Sequence, residues 1–119
     1  MNQDTICAIA TAQGGAIGSI RVSGPDAITI TERIFTPVKV GKQLSDKKPY
    51  TLTFGHIHNE KEIVDEVLVS LFRAPHSYTG EDSTEITCHG STYILQQVMQ
   101  LLQQTKIQEV RQTLERLIL

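Results

Sequence analysis

The sequence predicts an α+β fold, with a mixed or antiparallel sheet and flanking helices. Several short segments alternate polar and apolar residues, which is the period of a half-buried strand. Two segments in the last third of the chain repeat apolar residues at helical spacing. The 119 residues, 39% of them hydrophobic, suit one compact domain with a single core.

The first part of the chain predicts two strands and a short helix. Residues 5–10 (TICAIA) predict a short buried strand, and the glycines of the AQGGAIG segment that follows mark a turn. Ser19–Ser23 (SIRVS) alternates as a half-buried strand, so Arg21 lies on its polar face. A modest helix is expected within residues 23–35 (SGPDAITITERIF), where a proline and an aspartate suit the first turn.

A β-hairpin is expected next. Its strands cover Tyr50–His58 and Glu62–Phe72, with a turn at Asn59–Lys61. The second strand carries apolar residues on both faces, which favours a central position in the sheet. One face holds Ile63, Val67, Val69 and Leu71, and the other holds Val64, Leu68 and Phe72.

The stretch Arg73–Ser91 (RAPHSYTGEDSTEITCHGS) concentrates the side chains that could carry chemistry. Its first half is a loop punctuated by Pro75 and Gly80. Ser83–His89 then alternates as a strand. We expect Thr84, Ile86 and Cys88 to face the core, and Ser83, Glu85, Thr87 and His89 to face outward or into a cleft.

A helix is predicted to begin at Ser91 or Thr92, directly after this strand. Its apolar residues form one stripe made of Ile94, Leu95, Val98, Leu101 and Leu102. The last segment, KIQEVRQTLERLIL, also places its apolar residues at helical spacing, namely Ile107, Val110, Leu114, Leu117 and Ile118.

Composition and charge exclude several classes of function. The net charge of −2, with both signs interspersed, argues against a strongly electrostatic nucleic-acid binder but leaves a small anionic ligand possible. No secretion signal and no apolar run long enough to span a bilayer are apparent, so we expect no membrane partner. The two cysteines give no disulfide framework, which favours a cytoplasmic protein with reduced thiols.

The motifs of nucleotide and metal chemistry are not found in the sequence. AQGGAIG is not G-x-G-x-x-G, and no G-x-x-x-x-G-K-[ST] occurs. No C-x-x-C or H-E-x-x-H spacing is present either. Cys88 and His89 are adjacent on a predicted strand, so their side chains point to opposite faces and do not form a shared metal site or a nucleophilic pair. We therefore predict neither a catalytic residue nor a metal ligand.

One ligand hypothesis remains from the residues alone. Glu85 and His89 share a strand face with Thr87 between them, and Arg21 lies on the polar face of another strand. If both strands line one cleft, the carboxylate could accept two parallel N–H bonds from a planar pterin or purine edge. Arg21 could then meet a carbonyl oxygen or an anionic tail. The alternative, a surface Arg and a surface Glu without a ligand, stays open.

Three segments resemble a known family, the N-terminal domain of the tRNA modification GTPases of the MnmE (TrmE) type. They are DTICAIATAQGGAIGSIRVSG, VDEVLVSLFRAPHSYTGEDSTEITCHGS and YILQQVMQLL. The similarity implies an MnmE-like domain over residues 1–103 and an atypical helical tail over 104–119. The family's helical and GTPase domains have no counterpart in this sequence, so we expect GTP, Mg and K to bind elsewhere in the longer parent protein.

The resemblance also implies a cofactor, partners and a site. The family's N-terminal domain is similar to the folate-binding part of aminomethyltransferases, forms a homodimer and binds a 5-formyl- or 5,10-methylene-tetrahydrofolate as one-carbon source. Its folate contacts fall on Arg21 and Glu85 here. Further cleft-lining positions would be Tyr78, Thr79, Gly80, Thr87 and His89, with Glu81 and Asp82 ordering their loop. The longer protein acts on tRNA with the flavoprotein MnmG.

Two alternatives to a folate-binding domain are open at this point. One is a dimerisation and scaffold module without folate. The other is an independent one-carbon transferase of the aminomethyltransferase type, which 119 residues disfavour because those enzymes use a larger enclosing structure.

Overall fold

The computed structural model describes residues 4–10, 15–77 and 79–118. Within these ranges the chain forms six strands and two α-helices, together with a 3-10 turn at Leu44–Asp46. The strands are β1 (Ile6–Ile9), β2 (Ile17–Ser23), β3 (Phe35–Pro37), β4 (Thr51–His58), β5 (Ile63–Phe72) and β6 (Ser83–His89). The helices are α1 (Ala27–Ile34) and α2 (Thr92–Ile118).

The six strands make one antiparallel sheet in the order β1-β2-β6-β5-β4-β3. The α+β class predicted from alternation is therefore confirmed, and the sheet is antiparallel. Strand β2, from the first fifth of the chain, pairs along its whole length with β6. This long-range pairing brings the two polar strand faces side by side.

Both helices pack on one face of the sheet and enclose the core. The sheet contributes the predicted inward-facing residues, among them Ile20 and Ile86, which are fully buried. Helix α2 contributes Leu95, Val98 and Leu102, also buried, as its predicted stripe requires. Each fully buried aliphatic side chain contributes about 1.5–3 kcal/mol relative to an exposed one, so this single layer of contacts holds the sheet and helices together.

Local chemistry explains where the elements turn. The β4–β5 turn is fixed by Asn59, whose Oδ1 accepts the backbone N–H groups of Lys61 and Glu62 at 2.8 Å each. Helix α1 begins after Asp26, whose backbone N–H donates to the Thr5 hydroxyl at 3.0 Å. The helix ends at Ile34 because Phe35 adopts an extended conformation and starts β3.

The second face of the sheet carries no helix in the described part of the chain. It exposes Leu52, Phe54 and Leu68, at 68%, 48% and 39% of their surface. Phe54 and Leu68 are register partners on β4 and β5. The polar residues of β2 and β6 lie on the same face, which we call the open face.

Three expectations about burial need correction. The strand predicted as buried in residues 5–10 is β1, an edge strand paired with β2, and Ile6 is 63% exposed. Strand β5 is central, as predicted, but its second face is the open face and remains partly exposed. Ile63 does not join the core and is 58% exposed, because it lies beyond the irregularity at Ile57/His58.

Helix α2 crosses the predicted boundary at residue 103 without interruption. Its last turns are held by two ion pairs, Lys106 with Asp4 at 3.2 Å and Glu109 with Arg33 at 2.5 Å. The apolar residues of the tail stay exposed rather than packing on the domain, for example Ile107 at 60% and Leu117 at 78%. Across the described ranges, no helix combines the length and hydrophobicity that a membrane span requires.

Candidate ligand site on the open sheet face

The centre of the open face is an ion pair between neighbouring strands. Arg21 on β2 and Glu85 on β6 are register partners. The Arg21 Nη2 atom donates to Glu85 Oε2 at 3.2 Å. Both side chains are partly exposed, at 36% and 27%. The two residues singled out from strand alternation therefore lie together.

This pair contributes more to geometry than to stability. A solvent-exposed ion pair contributes about 0–1 kcal/mol to folding. A carboxylate offers about four lone-pair directions and a guanidinium five N–H donors, so one contact between them does not use up either group. The pair can hold the Glu85 carboxylate in place while that group accepts further N–H bonds from a flat ligand.

The loop before β6 docks on the end of β2 through side-chain hydroxyls. The Ser23 and Thr79 hydroxyl oxygens lie 2.6 Å apart, and Ser23 Oγ also donates to Glu81 Oε2 at 3.2 Å. Asp82 Oδ1 accepts the backbone N–H of Ala74 at 2.8 Å. Glu81 and Asp82 thus order this loop, as expected. Tyr78, one of the predicted cleft-lining residues, lies outside the described residues.

Gly80 fits this loop because of its backbone conformation. Its φ of +77° is in the left-handed region that L side chains rarely adopt. Nothing lies within 4 Å of where its Cβ would be. The glycine therefore serves the turn itself and leaves open space above it, and Gly80 and Thr79 are both exposed.

His89 lies at the far end of the β6 polar row and is held by Asp65. Its Nδ1 is 2.6 Å from Asp65 Oδ1, and its backbone N–H donates to Asp65 Oδ2 at 2.9 Å. The Asp65 side chain is 8% exposed, whereas that of His89 is 71% exposed. Sequence reasoning missed Asp65, because strand alternation assigns it to the core face of β5 with Val67 and Val69. The sequence pattern offers no signal for it.

Thr87 lies between the two ends of the row. Its register partners are Ser19 on β2 and Leu68 on β5. Ser19 is buried and Leu68 is partly exposed. The middle of the row is thus more apolar than its ends.

The two cysteines do not supply a reactive thiol. Burial, and then the negative charge of Asp65, raise the pKa of Cys88 to about 11. Burial is also the main cause of a raised pKa at Cys7. Thiolate is the nucleophilic form, so thiols of raised pKa are poor nucleophiles at neutral pH. The side chain of Cys88 points into the core, away from Glu85, as alternation predicts.

Two grooves lie elsewhere on the molecule. One, of about 750 Å³, runs between the β4–β5 turn and α2 and includes Arg33, His58 and Gln104. The other, of about 560 Å³, is bounded by Tyr50, Phe72 and the loop after β5. Neither groove includes Arg21 or Glu85. The guanidinium of Arg33 is already paired with Glu109, so the first groove presents less unshared charge than the open face.

Metal chemistry has no support in the part of the chain that the structure describes. No group of three or more His, Cys, Asp or Glu side chains there is arranged to hold a metal ion. The site is therefore a set of organic hydrogen-bonding groups on a sheet surface: a carboxylate, a guanidinium, hydroxyls and an imidazole.

These features define a class: a two-layer α+β domain whose antiparallel sheet is covered on one face and carries a cross-strand Arg–Glu pair on the other. Comparison with known sequences makes this specific. The family model described as GTP-binding protein TrmE N-terminus matches residues 5–113. The chain belongs to this family of TrmE (MnmE) N-terminal domains.

Relatives from several bacteria carry the same name. The tRNA modification GTPase MnmE of Bacteroides fragilis is 86% identical over 102 residues, and that of Bacteroides thetaiotaomicron is 84% identical over the same length. The Flavobacterium johnsoniae protein is 53% identical over 103 residues. Each alignment covers 86% of this chain but 22% of the relative. The chain thus spans about a fifth of the length of these relatives.

Proposed function

We propose that the chain is a tetrahydrofolate-binding and dimerisation domain of a tRNA wobble-uridine modification GTPase. The single observation that carries this proposal is the Arg21–Glu85 pair on the open face of a TrmE-family sheet. In this proposal, a 5-formyl- or 5,10-methylene-tetrahydrofolate is the one-carbon source. The domain itself binds and positions the cofactor and performs no bond-breaking step.

The chemistry of recognition follows from the two side chains. A pterin ring presents an amino group and an adjacent ring N–H along one edge. The carboxylate of Glu85 can accept both, and hydrogen bonds to an ionised acceptor are stronger than neutral ones. Arg21 orients that carboxylate from the neighbouring strand and can donate to the ring carbonyl. Glu85 is then the specificity residue and Arg21 the orienting one.

The wider activity belongs to the longer protein. Its relatives are named as tRNA modification GTPases. GTP, Mg and K would bind outside the domain described here, and tRNA and the flavoprotein MnmG would be partners of the whole assembly in the cytoplasm. The contribution of the present domain would be to deliver the one-carbon unit.

A second candidate function is a dimerisation and scaffold module without folate. The exposed apolar side chains of Leu52, Phe54 and Leu68 on the open face favour it, because contiguous apolar surface marks protein interaction sites. In addition, Arg21 and Glu85 hold each other without any ligand. The two candidates share the homodimer and differ in whether the polar row binds a cofactor.

Titration of the purified chain with 5-formyltetrahydrofolate separates them. Glu85→Gln should weaken binding by about 10- to 100-fold, since a hydrogen bond to a charged group contributes about 1.5–3 kcal/mol. Glu66→Gln is the matched control, because Glu66 is an exposed glutamate on the open face, 3.7 Å from His56. Equal binding by Glu85→Gln and the parent would remove Glu85 from the site, and no binding by the folded parent would leave the scaffold.

A further inference from the structure

The Asp65–His89 pair has a geometry that strand pairing does not require. Both Asp65 carboxylate oxygens contact one residue, His89, through its ring and its backbone N–H. An ionised carboxylate only accepts hydrogen bonds, so Nδ1 carries the proton that it shares with Asp65. The remaining ring atom, Nε2, belongs to a side chain that is 71% exposed. The imidazole is therefore oriented by a carboxylate that is itself almost buried.

The pair lies at a defined distance from the proposed pterin contact. Glu85, Thr87 and His89 alternate along β6 on the open-face side. At about 3.3 Å per residue, the Cα atoms of Glu85 and His89 lie about 13 Å apart. Leu68, the register partner of Thr87, supplies partly exposed apolar surface between them. Along one strand, the open face thus presents a carboxylate, an apolar step and an oriented imidazole.

We propose that His89, oriented by Asp65, binds the acidic tail of a folate whose pterin lies at Glu85. The proposal rests on the function proposed above. A folate consists of a pterin, a flat aminobenzoyl ring and a glutamate in series, which is the order of chemistry along the row. The aryl ring packs on Leu68, and the imidazole, protonated at Nε2, donates to a glutamate carboxylate. Asp65 is a positioning residue that acts through His89.

The test compares two ligands on three proteins. The ligands are 5-formyltetrahydrofolate and a 5-formyl-6-methyltetrahydropterin, which lacks the aminobenzoylglutamate. The proteins are the parent chain, His89→Gln and His56→Gln. His56 is the matched control because it is a histidine on the open face that pairs with a glutamate, Glu66. Loss of one charge-assisted bond should weaken the full folate about 10-fold in His89→Gln and leave the pterin unaffected. His56→Gln should match the parent for both ligands.

The outcomes separate the two proposals. If His89→Gln binds the full folate as tightly as the parent, or loses the same factor for both ligands, the tail assignment is wrong while folate binding stands. If the folded parent binds neither ligand, the proposed function fails and the tail site fails with it. Asp65→Asn gives a second reading: it should weaken the full folate more than the tailless pterin, whereas a purely structural role would affect both equally.

Discussion

Two threonine hydroxyls in the core show how single atoms decide the cost of a substitution. Thr31 on α1 and Thr84 on β6 are both fully buried, with their hydroxyl oxygens 2.7 Å apart. Thr31 Oγ1 also donates to the Ala27 carbonyl at 2.8 Å. Its one proton is therefore committed to the helix, and the proton between the two hydroxyls comes from Thr84.

This assignment predicts unequal effects of two similar substitutions. Thr31→Val leaves the Thr84 hydroxyl without an acceptor in the core, and an unsatisfied buried donor costs about 1–3 kcal/mol. Thr84→Val leaves Thr31 bonded to Ala27 and places a β-branched apolar residue in a strand, so its cost should be below about 1 kcal/mol. Urea unfolding of the two variants measures the difference. A more stable Thr31→Val would mean that the proton runs the other way.

Cys88 makes a prediction about alkaline stability. Its pKa in the folded protein is raised from 9.0 to about 11, by burial and by Asp65. Between these values the unfolded thiol loses its proton and the folded thiol keeps it. The stabilisation is thus fully present below pH 9 and is lost as the pH rises through about 11. We expect a loss of about 1–2 kcal/mol over this window, measured by urea unfolding at pH 8.5 and 10.5.

A matched variant isolates the cysteine from other alkaline groups. Cys88→Ala costs stability at every pH because it removes a buried atom, but its decline between the two pH values should be shallower than that of the parent. Parallel declines in parent and variant would show that Cys88 does not carry the effect.

At the scale of elements, the junction between β6 and α2 depends on a close backbone approach. A Cβ at Gly90 would lie 1.9 Å from the carbonyl oxygen of Gly15, just before β2. The Gly90 N–H donates to Ala16 O at 3.0 Å. By contrast, a Cβ at Gly18 would meet the end of the Leu95 side chain at 2.8 Å. A backbone atom cannot rotate away, whereas a leucine can.

Gly90→Ala should therefore destabilise more than Gly18→Ala. We expect about 2–3 kcal/mol for Gly90→Ala and about 1 kcal/mol for Gly18→Ala, the upper and lower parts of the range for overpacking. Thermal and urea unfolding of both variants provide the comparison. Similar costs at the two positions would indicate that the junction can shift without loss.

The elements themselves were largely predictable, because periodicity is a local signal. Alternation predicted β2, β4, β5 and β6 to within a few residues, and the helical stripe of α2 is the observed core contact. Sheet order was not predictable, since the pairing of β2 with β6 joins distant parts of the chain. The edge position of β1 went unnoticed for the same reason: an apolar strand reads as buried until its neighbours are known.

The candidate site was predictable in part, and the reason is again parity. Alternation assigned Arg21 and Glu85 to polar faces, while only the register makes them partners. Asp65 could not be found, because its interaction crosses the end of the ladder rather than following strand alternation.

At the scale of the whole molecule, two exposed apolar surfaces compete for the dimer contact. One is the open face with Phe54 and Leu68, and the other is the tail of α2 with Leu114 and Leu117. We expect the open face to form the homodimer, because it is broad and continuous with the polar row. Phe54→Glu should then yield a monomer in sedimentation, with unchanged unfolding stability.

The control for this prediction is Leu114→Glu, which adds the same charge to the tail. It should remain dimeric at the concentration where Phe54→Glu is monomeric. A reversed result would assign the contact to the helix, and a parent chain that is monomeric at every concentration would rule out both surfaces.

The pairing of β2 with β6 also has a kinetic meaning. Arg21 and Glu85 are 64 positions apart, whereas β4 and β5 are joined by a turn of a few residues. Closing a longer loop costs more chain entropy, and topologies rich in distant contacts fold slowly. The hairpin is thus expected to assemble early and the Arg21–Glu85 pair late. Contacts made after the transition state mainly govern how fast a protein unfolds. The site would then act as the last latch of folding: Arg21→Gln should hasten unfolding and leave the refolding rate nearly unchanged.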